Sequence, residues 1–217
     1  MTNGKETLRS QISMIIQKRI REGVYKPGER IVETRLCKEL SVSQAPVREA
    51  VLELAMMGIL EERPYSGTFV KDVRAEDISD TYSVRAFIEE YATKRACKYG
   101  TEESFRSIAD AVKNMENCNS VEKYAEMDRD FHQSVLKASG SEALMRCWNS
   151  LHVTQWTYQS ILNTSKSMEE ITAEHKAIAE AITNRNDHTA GALMFLHIRA
   201  FAQEITEYME KRDQSGL

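Results

Sequence analysis

The sequence predicts a mostly α-helical protein with two domains, a small one built of short elements and a larger helical bundle. Its 217 residues include only 9 glycines and 3 prolines, which are too few for a turn-rich β protein. All three prolines and five of the nine glycines precede residue 70, so the short elements are confined to the first third. Residues 1–74 carry 13 Lys and Arg against 10 Asp and Glu, whereas residues 75–217 carry 16 against 23. We therefore expect a domain boundary between residues 74 and 75.

Three helices and a β-hairpin are predicted for the first domain. Apolar residues at helical spacing indicate three helices, near residues 6–22, 33–40 and 44–57. Ser43 immediately precedes the third helix, and we expect its hydroxyl to cap that helix. Two short strands, near 59–63 and 68–71, flank a loop of turn-forming residues at 64–67. This order of elements is typical of a winged helix-turn-helix.

The second domain is predicted to be an all-α bundle of about six helices. The six periodic segments are 76–98, 102–117, 119–138, 141–163, 168–185 and 188–212. No apolar run approaches the about 20 residues that span a bilayer, and the first residues lack the apolar core of a secretion signal. We therefore expect a cytoplasmic protein with no membrane partner. Four cysteines fit neither a zinc nor a disulfide spacing and are expected to be reduced: Cys37, Cys97, Cys118 and Cys147.

The start of the third helix is a candidate DNA-contacting surface. The major groove admits one helix and shows a distinct pattern at each base pair. Ser43 and Gln44 begin this helix, and Gln44 suits adenine. Ala45 suits a thymine methyl group, and Arg48 suits guanine or a phosphate. For each residue taken singly, ordinary exposure to solvent is the competing explanation.

Further DNA contacts are expected from the preceding helix and from the hairpin loop. Arg35 and Lys38 on the preceding helix are candidate phosphate contacts. Tyr65, Ser66 and Gly67 in the loop would reach the minor groove or the backbone, where glycine permits close approach.

Several segments of the first domain resemble the GntR superfamily of bacterial transcription regulators. They are Gly23–Ile31, Leu40–Val51, Gly58–Leu60 and Gly67–Val70. The resemblance covers nearly all of residues 8–72 and implies a winged helix-turn-helix that binds an operator. In that family an Arg often follows the capping Ser, whereas this chain has Gln44 there, and Thr34 stands where some members place a further Arg. Arg48 keeps the family's pattern.

Four polar residues of the second domain are predicted to converge inside the bundle. Asp128 and His132 are four residues apart and therefore project side by side from one helix. His175 and His197 lie on apolar stripes of two later helices, so each imidazole should point inward. A single inward His is more often a hydrogen-bonded core residue, but the set of four favours a divalent transition metal such as Zn, Ni, Co, Fe or Mn.

The second domain also resembles the FCD domain, the ligand domain of FadR-type members of the same superfamily. The runs Asp128–His132 and Glu174–Ile178 and the later His197 carry the likeness, and Thr81–Glu89 resembles the start of that domain. In many FCD domains the matching Asp and three His hold a metal whose coordination a small organic acid completes. The resemblance therefore implies the following metal ligands: Asp128, His132, His175 and His197. It also argues against a long-chain acyl thioester as effector.

Arg85 is the candidate residue for binding the effector. A guanidinium matches a carboxylate bidentately, and Arg85 shares a helix face with Ile78, Tyr82 and Ile88. A buried ion pair with an acid such as Glu89 is an equally good explanation at this stage.

Together these patterns predict a metal-dependent regulator of transcription, expected to be a homodimer whose affinity for double-stranded operator DNA responds to a small carboxylate. Two alternatives stay open. The same ligands would also suit a hydrolytic or oxidative metalloenzyme, although no partnered general base is found beyond them. In the second alternative, the protein binds DNA constitutively and its metal is purely structural.

Overall fold

The computed structural model describes residues 7–152, 157, 161 and 164–215, with side chains up to residue 210. The chain divides into two compact units, Met1–Val73 and Arg74–Leu217. Among the helices of these ranges, none has an apolar stretch long enough to cross a membrane.

The first unit contains three helices and a three-stranded sheet. The helices are α1 (Leu8–Arg21), α2 (Glu33–Leu40) and α3 (Gln44–Met56). The strands are β1 (Arg30–Ile31), β2 (Leu60–Arg63) and β3 (Gly67–Val70). β3 lies between β1 and β2 and is antiparallel to both. The winged helix-turn-helix is confirmed, and it has one strand more than the predicted hairpin, because a strand of two residues is too short to show an alternating pattern.

An apolar core joins the three helices of this unit to its sheet. Its buried members are Ile12, Ile16, Tyr25, Ile31, Leu36, Val47, Ala50, Val51, Leu54, Ile59, Leu60 and Val70. α2 ends at Ser41 in the left-handed conformation, with φ 54°, and the chain turns there toward α3. Ser43 holds the N-cap position of α3, but the predicted capping hydrogen bond is absent. The third residue of α3 is Pro46, which has no N–H to donate to the Ser43 hydroxyl.

The second unit is a helical bundle. Its helices are α4 (Ala75–Tyr99), α5 (Glu102–Met115), α6 (Val121–Ala138), α7 (Glu142–Ser150), α8 (Met168–Thr183) and α9 (Asp187–Ser215). The two long helices α4 and α9 pack along each other, and α6 packs on both α4 and α5. Side-chain hydroxyls cap the starts of four helices, at Thr101, Ser120, Ser141 and Ser167. All four cysteines are free thiols.

The prediction of one continuous helix over 141–163 is wrong. α7 ends at Ser150, and the chain turns at His152, whose φ is 47°. A left-handed residue cannot continue a right-handed helix, and no Gly or Pro in this stretch signals the break. Helix is present again at Thr157 and Ile161, whereas residues 153–156, 158–160 and 162–163 lie outside the described residues.

Candidate metal centre and DNA-contacting surface

Asp128, His132, His175 and His197 converge inside the bundle. α6 supplies the first two residues, α8 the third and α9 the fourth. One ligand atom of each lies within 4.8 Å of those of the other three. Asp128 Oδ1 is 3.2 Å from Nε2 of His175, and Oδ2 is 3.8 Å from Nε2 of His132. All four side chains are buried, so the predicted convergence is confirmed and the cluster is able to hold a metal ion.

Each of the three imidazoles is oriented by a hydrogen bond from its Nδ1 atom. The acceptors are the carboxylate of Glu89 for His132, the carbonyl oxygen of Ile171 at 2.8 Å for His175, and the carboxylate of Glu174 at 2.8 Å for His197. A carbonyl or an ionised carboxylate only accepts, so Nδ1 carries the proton of each neutral imidazole and Nε2 carries a lone pair. All three lone pairs therefore belong to the atoms that face the cluster.

Burial favours the neutral form of two imidazoles of this cluster, those of His132 and His197. It lowers the pKa of His132, and it lowers the pKa of His197, with help from the neighbouring His175, to about 3. Burial alone would raise the pKa of Asp128, but His132, His175 and Arg85 around it outweigh that effect and lower it. At neutral pH the centre thus holds the ionised carboxylate of Asp128 beside the uncharged imidazoles of His132 and His197.

Within the part of the chain that the structure describes, two atoms at the centre have no hydrogen-bond partner. They are Nε2 of His132 and Nε2 of His175, both fully buried. A buried polar atom without a partner costs about 1–3 kcal/mol, and here the lone pairs also face a negative carboxylate. A bound cation would relieve both costs. Many transition-metal sites use such ligands, three imidazole nitrogens and one carboxylate oxygen. In those sites the other ring nitrogen of each His also donates a hydrogen bond to an acceptor outside the metal shell.

Glu89 joins three parts of the site. Its Oε1 accepts from Nε of Arg85 and from the indole N–H of Trp148, both at 2.6 Å, while Oε2 accepts from His132. The side chains of Arg85 and Glu89 are 5% and 1% exposed. Burial alone would raise the pKa of Glu89, but the charge of Arg85 outweighs it and the pKa is lowered. The buried ion pair considered for Arg85 is therefore present.

A small cavity lies beside the cluster, and Arg85 lines it as well. The wall also includes Tyr82, Thr157, Phe201 and three of the four candidate ligands. Its volume is about 10 Å³, which is roughly the room for one water molecule. Arg85 consequently contacts Glu89 on one side and faces the cavity on the other.

The predicted DNA-contacting residues of α3 are on its solvent face. Gln44, Ala45 and Arg48 are exposed, as is Ser43 at the N-cap. The opposite face is buried through Val47, Val51 and Leu54. Nε2 of Gln44 donates to the carboxylate of Glu33 at 3.4 Å, a long contact that a base could replace.

Arg35 and Lys38 on α2 are also exposed. The Arg35 side chain is 73% exposed, although its Nε pairs with Glu39 at 2.7 Å. At the wing, Tyr65 is fully exposed with φ 61°, Ser66 is exposed, and Gly67 has φ 105°.

Arg30 is a wing residue that sequence reasoning missed. It lies on β1, and its guanidinium covers Gly67 so closely that a Cβ added there would be 3.0 Å from Nε of Arg30. Only the pairing of β1 with β3 brings the two together. The sequence also did not predict the roles of Glu174 and Trp148. Their hydrogen-bond partners, His197 and Glu89, lie on other helices.

These features define a DNA-binding protein of the winged helix-turn-helix class with an all-helical second domain. The chain belongs to the gntR family of bacterial regulatory proteins, which it matches over residues 8–70, and it carries an FCD domain over residues 80–200. It is therefore a transcriptional regulator.

Named relatives agree with this assignment. The chain is 27% identical to the "Probable D-xylose utilization operon transcriptional repressor" of Paenarthrobacter nicotinovorans, covering 91% of this chain and 88% of the relative. It is 26% identical to the "Nta operon transcriptional regulator" of Aminobacter aminovorans, over 84% and 87% of the two chains. With LutR of Bacillus subtilis it shares 27% identity over 90% of its own length and the whole of that protein. These relatives are named as regulators and not as enzymes.

Solved structures show the same fold. The structure of E. coli McbR/YncC matches 95% of this chain and 98% of its own, with a TM-score of 0.67 and 17% identity. A GntR family member from Pseudomonas syringae matches 97% and 89% of the two chains, with a TM-score of 0.57 and 19% identity.

Proposed function

We propose that this protein is a metal-dependent regulator whose affinity for operator DNA changes when a small carboxylate binds beside the metal. The observation that carries the proposal is the set of three Nδ1 hydrogen bonds. They aim three unprotonated Nε2 atoms and one ionised carboxylate at a single buried point. Such an arrangement is electrostatically unfavourable by itself and favourable around a cation.

The metal ligands in this proposal are Asp128, His132, His175 and His197. Their nitrogen-rich set suits Zn, Ni, Co, Fe or Mn, and the ion would supply positive charge and open coordination positions for an oxygen ligand. The protein's part is to hold the imidazoles in the ligating tautomer and to exclude water from the centre.

A carboxylate is the effector that the cavity wall favours. Arg85 places a buried, permanently charged guanidinium beside the candidate ligands, and a planar guanidinium binds a carboxylate through two parallel hydrogen bonds. Because the cavity holds about one water molecule, the acid must be small, or the wall must open to admit it.

The DNA-binding part of the proposal uses α3 and the wing. Gln44, Ala45 and Arg48 would meet base edges or phosphates, Arg35 would contact a phosphate, and Tyr65 with its neighbours Ser66 and Gly67 would contact the wing's side of the duplex. A homodimer would place two such surfaces on a two-fold operator. We propose a cytoplasmic repressor, in line with the printed name of the Paenarthrobacter relative.

The first experiment measures metal binding. Elemental analysis of the purified protein, followed by calorimetric titration of the chelator-treated protein with Zn²⁺, Ni²⁺ and Mn²⁺, should give one site per chain. His175→Ala and Asp128→Asn should lose tight binding. His188→Ala is the matched control, because His188 is an exposed histidine of the same unit. A protein that binds none of these ions, or variants that bind like the wild type, would contradict the proposal.

The second experiment measures the response of DNA binding. A duplex selected with the protein from a random library is titrated in gel shifts, with and without metal and with acetate, malonate, succinate or citrate. Arg85→Lys keeps the positive charge but removes the planar guanidinium that donates two parallel hydrogen bonds. It should therefore weaken the response to acids, while the Kd for the metal stays within a few fold of the wild-type value.

A purely structural metal is the second candidate function. The small cavity favours it, because little room is left for a ligand. In that case chelation lowers the melting temperature of the bundle, and no acid alters the affinity for DNA.

A further inference from the structure

Glu89 is a buried carboxylate that accepts hydrogen bonds from side chains on three helices. Its Oε2 accepts from Nδ1 of His132 on α6. Its Oε1 accepts from Nε of Arg85 on α4 and from the indole N–H of Trp148 on α7, both at 2.6 Å. One carboxylate therefore contacts a candidate metal ligand, the arginine of the cavity wall and a helix that supplies no candidate ligand.

The two oxygens of Glu89 have partners of different kinds. A guanidinium and an indole N–H only donate hydrogen bonds, so both groups at Oε1 require an acceptor there. The partner at Oε2 is an imidazole nitrogen, which donates or accepts according to the tautomer of the ring. The group that occupies the Oε2 position therefore determines which nitrogen of His132 carries the proton.

The tautomer of His132 decides whether this residue can bind a metal ion. Its Nε2 lies 3.8 Å from Oδ2 of Asp128, inside the cluster. An acceptor at the Oε2 position keeps the proton on Nδ1 and leaves a lone pair on Nε2. A donor at that position would instead require the lone pair on Nδ1, and the proton on Nε2 would then face Asp128. A nitrogen that carries a proton has no lone pair with which to ligate a metal.

α7 connects the third partner of Glu89 to the cavity wall. Trp148 is the one buried residue of α7, and it belongs to an apolar cluster with residues of α4 and α6. Further along the chain, Thr157 and Ile161 line the cavity beside the metal cluster. The hydrogen bond from Trp148 to Glu89 thus fixes the helix that precedes this part of the wall.

We propose that Glu89 is a positioning residue that sets the ligating tautomer of His132 and transmits occupancy of the metal site to α7 through Trp148. When Nε2 of His132 ligates a cation, the ring becomes more acidic and its Nδ1 hydrogen bond to Glu89 strengthens. Negative charge is then drawn toward Oε2, and the bond that Oε1 accepts from Trp148 weakens. The transmission rests on the metal site of the proposed function, whereas the tautomer is a property of the metal-free protein.

Nitrogen-15 NMR of the imidazoles in the metal-free, full-length protein tests the tautomer. The shifts of the two ring nitrogens show which one is protonated, and loss of signals in His132→Gln assigns those of His132. The wild type should carry the proton on Nδ1. Glu89→Gln should reverse this, because Arg85 and Trp148 hold the amide oxygen at the Oε1 position and the amide N–H₂ then donates to Nδ1. The same variant should weaken Zn²⁺ binding 10- to 100-fold.

Two control variants separate this role from a general loss of packing. Trp148→Phe removes a different donor to the same carboxylate, and it should leave His132 in the wild-type tautomer. Glu90→Gln alters the neighbouring acid, which pairs with Lys94, and it should change neither the tautomer nor the affinity for Zn²⁺.

A double variant keeps the test available if Glu89→Gln alone does not fold. The single variant leaves the guanidinium of Arg85 as a buried charge without its counter-ion, which is strongly destabilising. Arg85→Met combined with Glu89→Gln removes both charges of the pair. Trp148 still donates to the amide oxygen in that protein, so the tautomer of His132 should be reversed there as well. Circular dichroism of each variant reports whether the helices are retained.

The indole N–H signals test the transmission to α7. Trp148 and Trp156 are the only tryptophans of the chain, and Trp156→Phe assigns the signal of Trp148. Titration with Zn²⁺ should move the Trp148 proton upfield, as expected for a weaker hydrogen bond, and the change should be complete at one ion per chain. In Glu89→Gln this change should be absent even at saturating Zn²⁺.

Each result bears on a separate part of the inference. A wild-type His132 that carries its proton on Nε2, or a wild-type tautomer in Glu89→Gln, would overturn the role of Glu89. Zn²⁺ binding that leaves the Trp148 signal unchanged would overturn the transmission to α7. Absence of any Zn²⁺ binding would refute the metal site of the proposed function and the transmission with it, while the tautomer of the metal-free protein would still decide the role of Glu89.

Discussion

Removal of the metal is expected to destabilise the second unit by an amount that the site itself suggests. Two buried Nε2 atoms regain no partner when the ion leaves, and each orphaned atom costs about 1–3 kcal/mol. A ligand present at 100 to 1,000 times its Kd stabilises a protein by about 2.7–4.1 kcal/mol. The cost of two orphaned atoms and the stabilisation by a bound ion both centre near 3–4 kcal/mol. At about 2–4 °C per kcal/mol for a chain of this size, the melting temperature should fall by roughly 6–16 °C.

The two tryptophans make this measurement specific to one unit. Trp148 and Trp156 both belong to the second unit, so tryptophan emission during a thermal scan reports the bundle and not the DNA-binding unit. The wild type is compared with and without chelator, beside His175→Gln as the ligand variant and His188→Ala as its control. A melting temperature that chelation leaves unchanged, or an equal loss in both variants, would refute the reasoning from the orphaned nitrogens.

Three further outcomes are expected. First, below pH 6.5 the unfolded chain binds protons at His132 and His197, whose folded pKa values are lowered, that of His197 to about 3. Urea melts of the metal-free protein should therefore lose stability as the pH falls from 6.5 to 5, by up to about 1.4 kcal/mol per pH unit from His197 and with a loss of the same sign from His132. Second, Arg48→Ala should weaken binding to the selected duplex by about 1–3 kcal/mol, or roughly 5- to 150-fold in gel shifts. Third, Gly67→Ala should strain the wing, because φ is 105° and Arg30 lies 3.0 Å from the added Cβ, and it should lower DNA affinity without changing the bundle's melting temperature.

Each of these outcomes has its own control. His188→Ala removes an exposed histidine of the same unit and is the control for the pH dependence. Glu49→Ala alters an exposed residue next to Arg48 and should not weaken DNA binding. Gly28→Ala is also at positive φ, with open space around the added Cβ, and so separates backbone strain from the contact with Arg30. Stability that is flat from pH 6.5 to 5, or Arg48→Ala binding like the wild type, would show that the assigned roles are wrong.

Short-range patterns in the sequence determined nearly all of the secondary structure. Apolar periodicity, capping hydroxyls and glycine stops act over a few residues, so the bounds of α1, α2 and α3 follow from local sequence. The exceptions are instructive. β1 exists only because β3 pairs with it, and the break at His152 has no Gly or Pro to announce it.

The metal centre was predictable in part for the same reason. Helical spacing places Asp128 and His132 side by side and turns His175 and His197 toward the core, whereas their meeting at one point depends on how α6, α8 and α9 pack. No periodicity relates residues on different helices, and so the sequence by itself could not assign the acceptors of the Nδ1 protons.

Only the tertiary structure showed that the two explanations of Arg85 are compatible. The sequence offered an effector contact or a buried pair with Glu89, and packing places the guanidinium against Glu89 while leaving it on the cavity wall. The sequence therefore determined the helices and the chemical types at the site. The packing of α4 against α6 and α7 decided the further partners of Glu89, because His132 and Trp148 lie 43 and 59 positions from it in the chain.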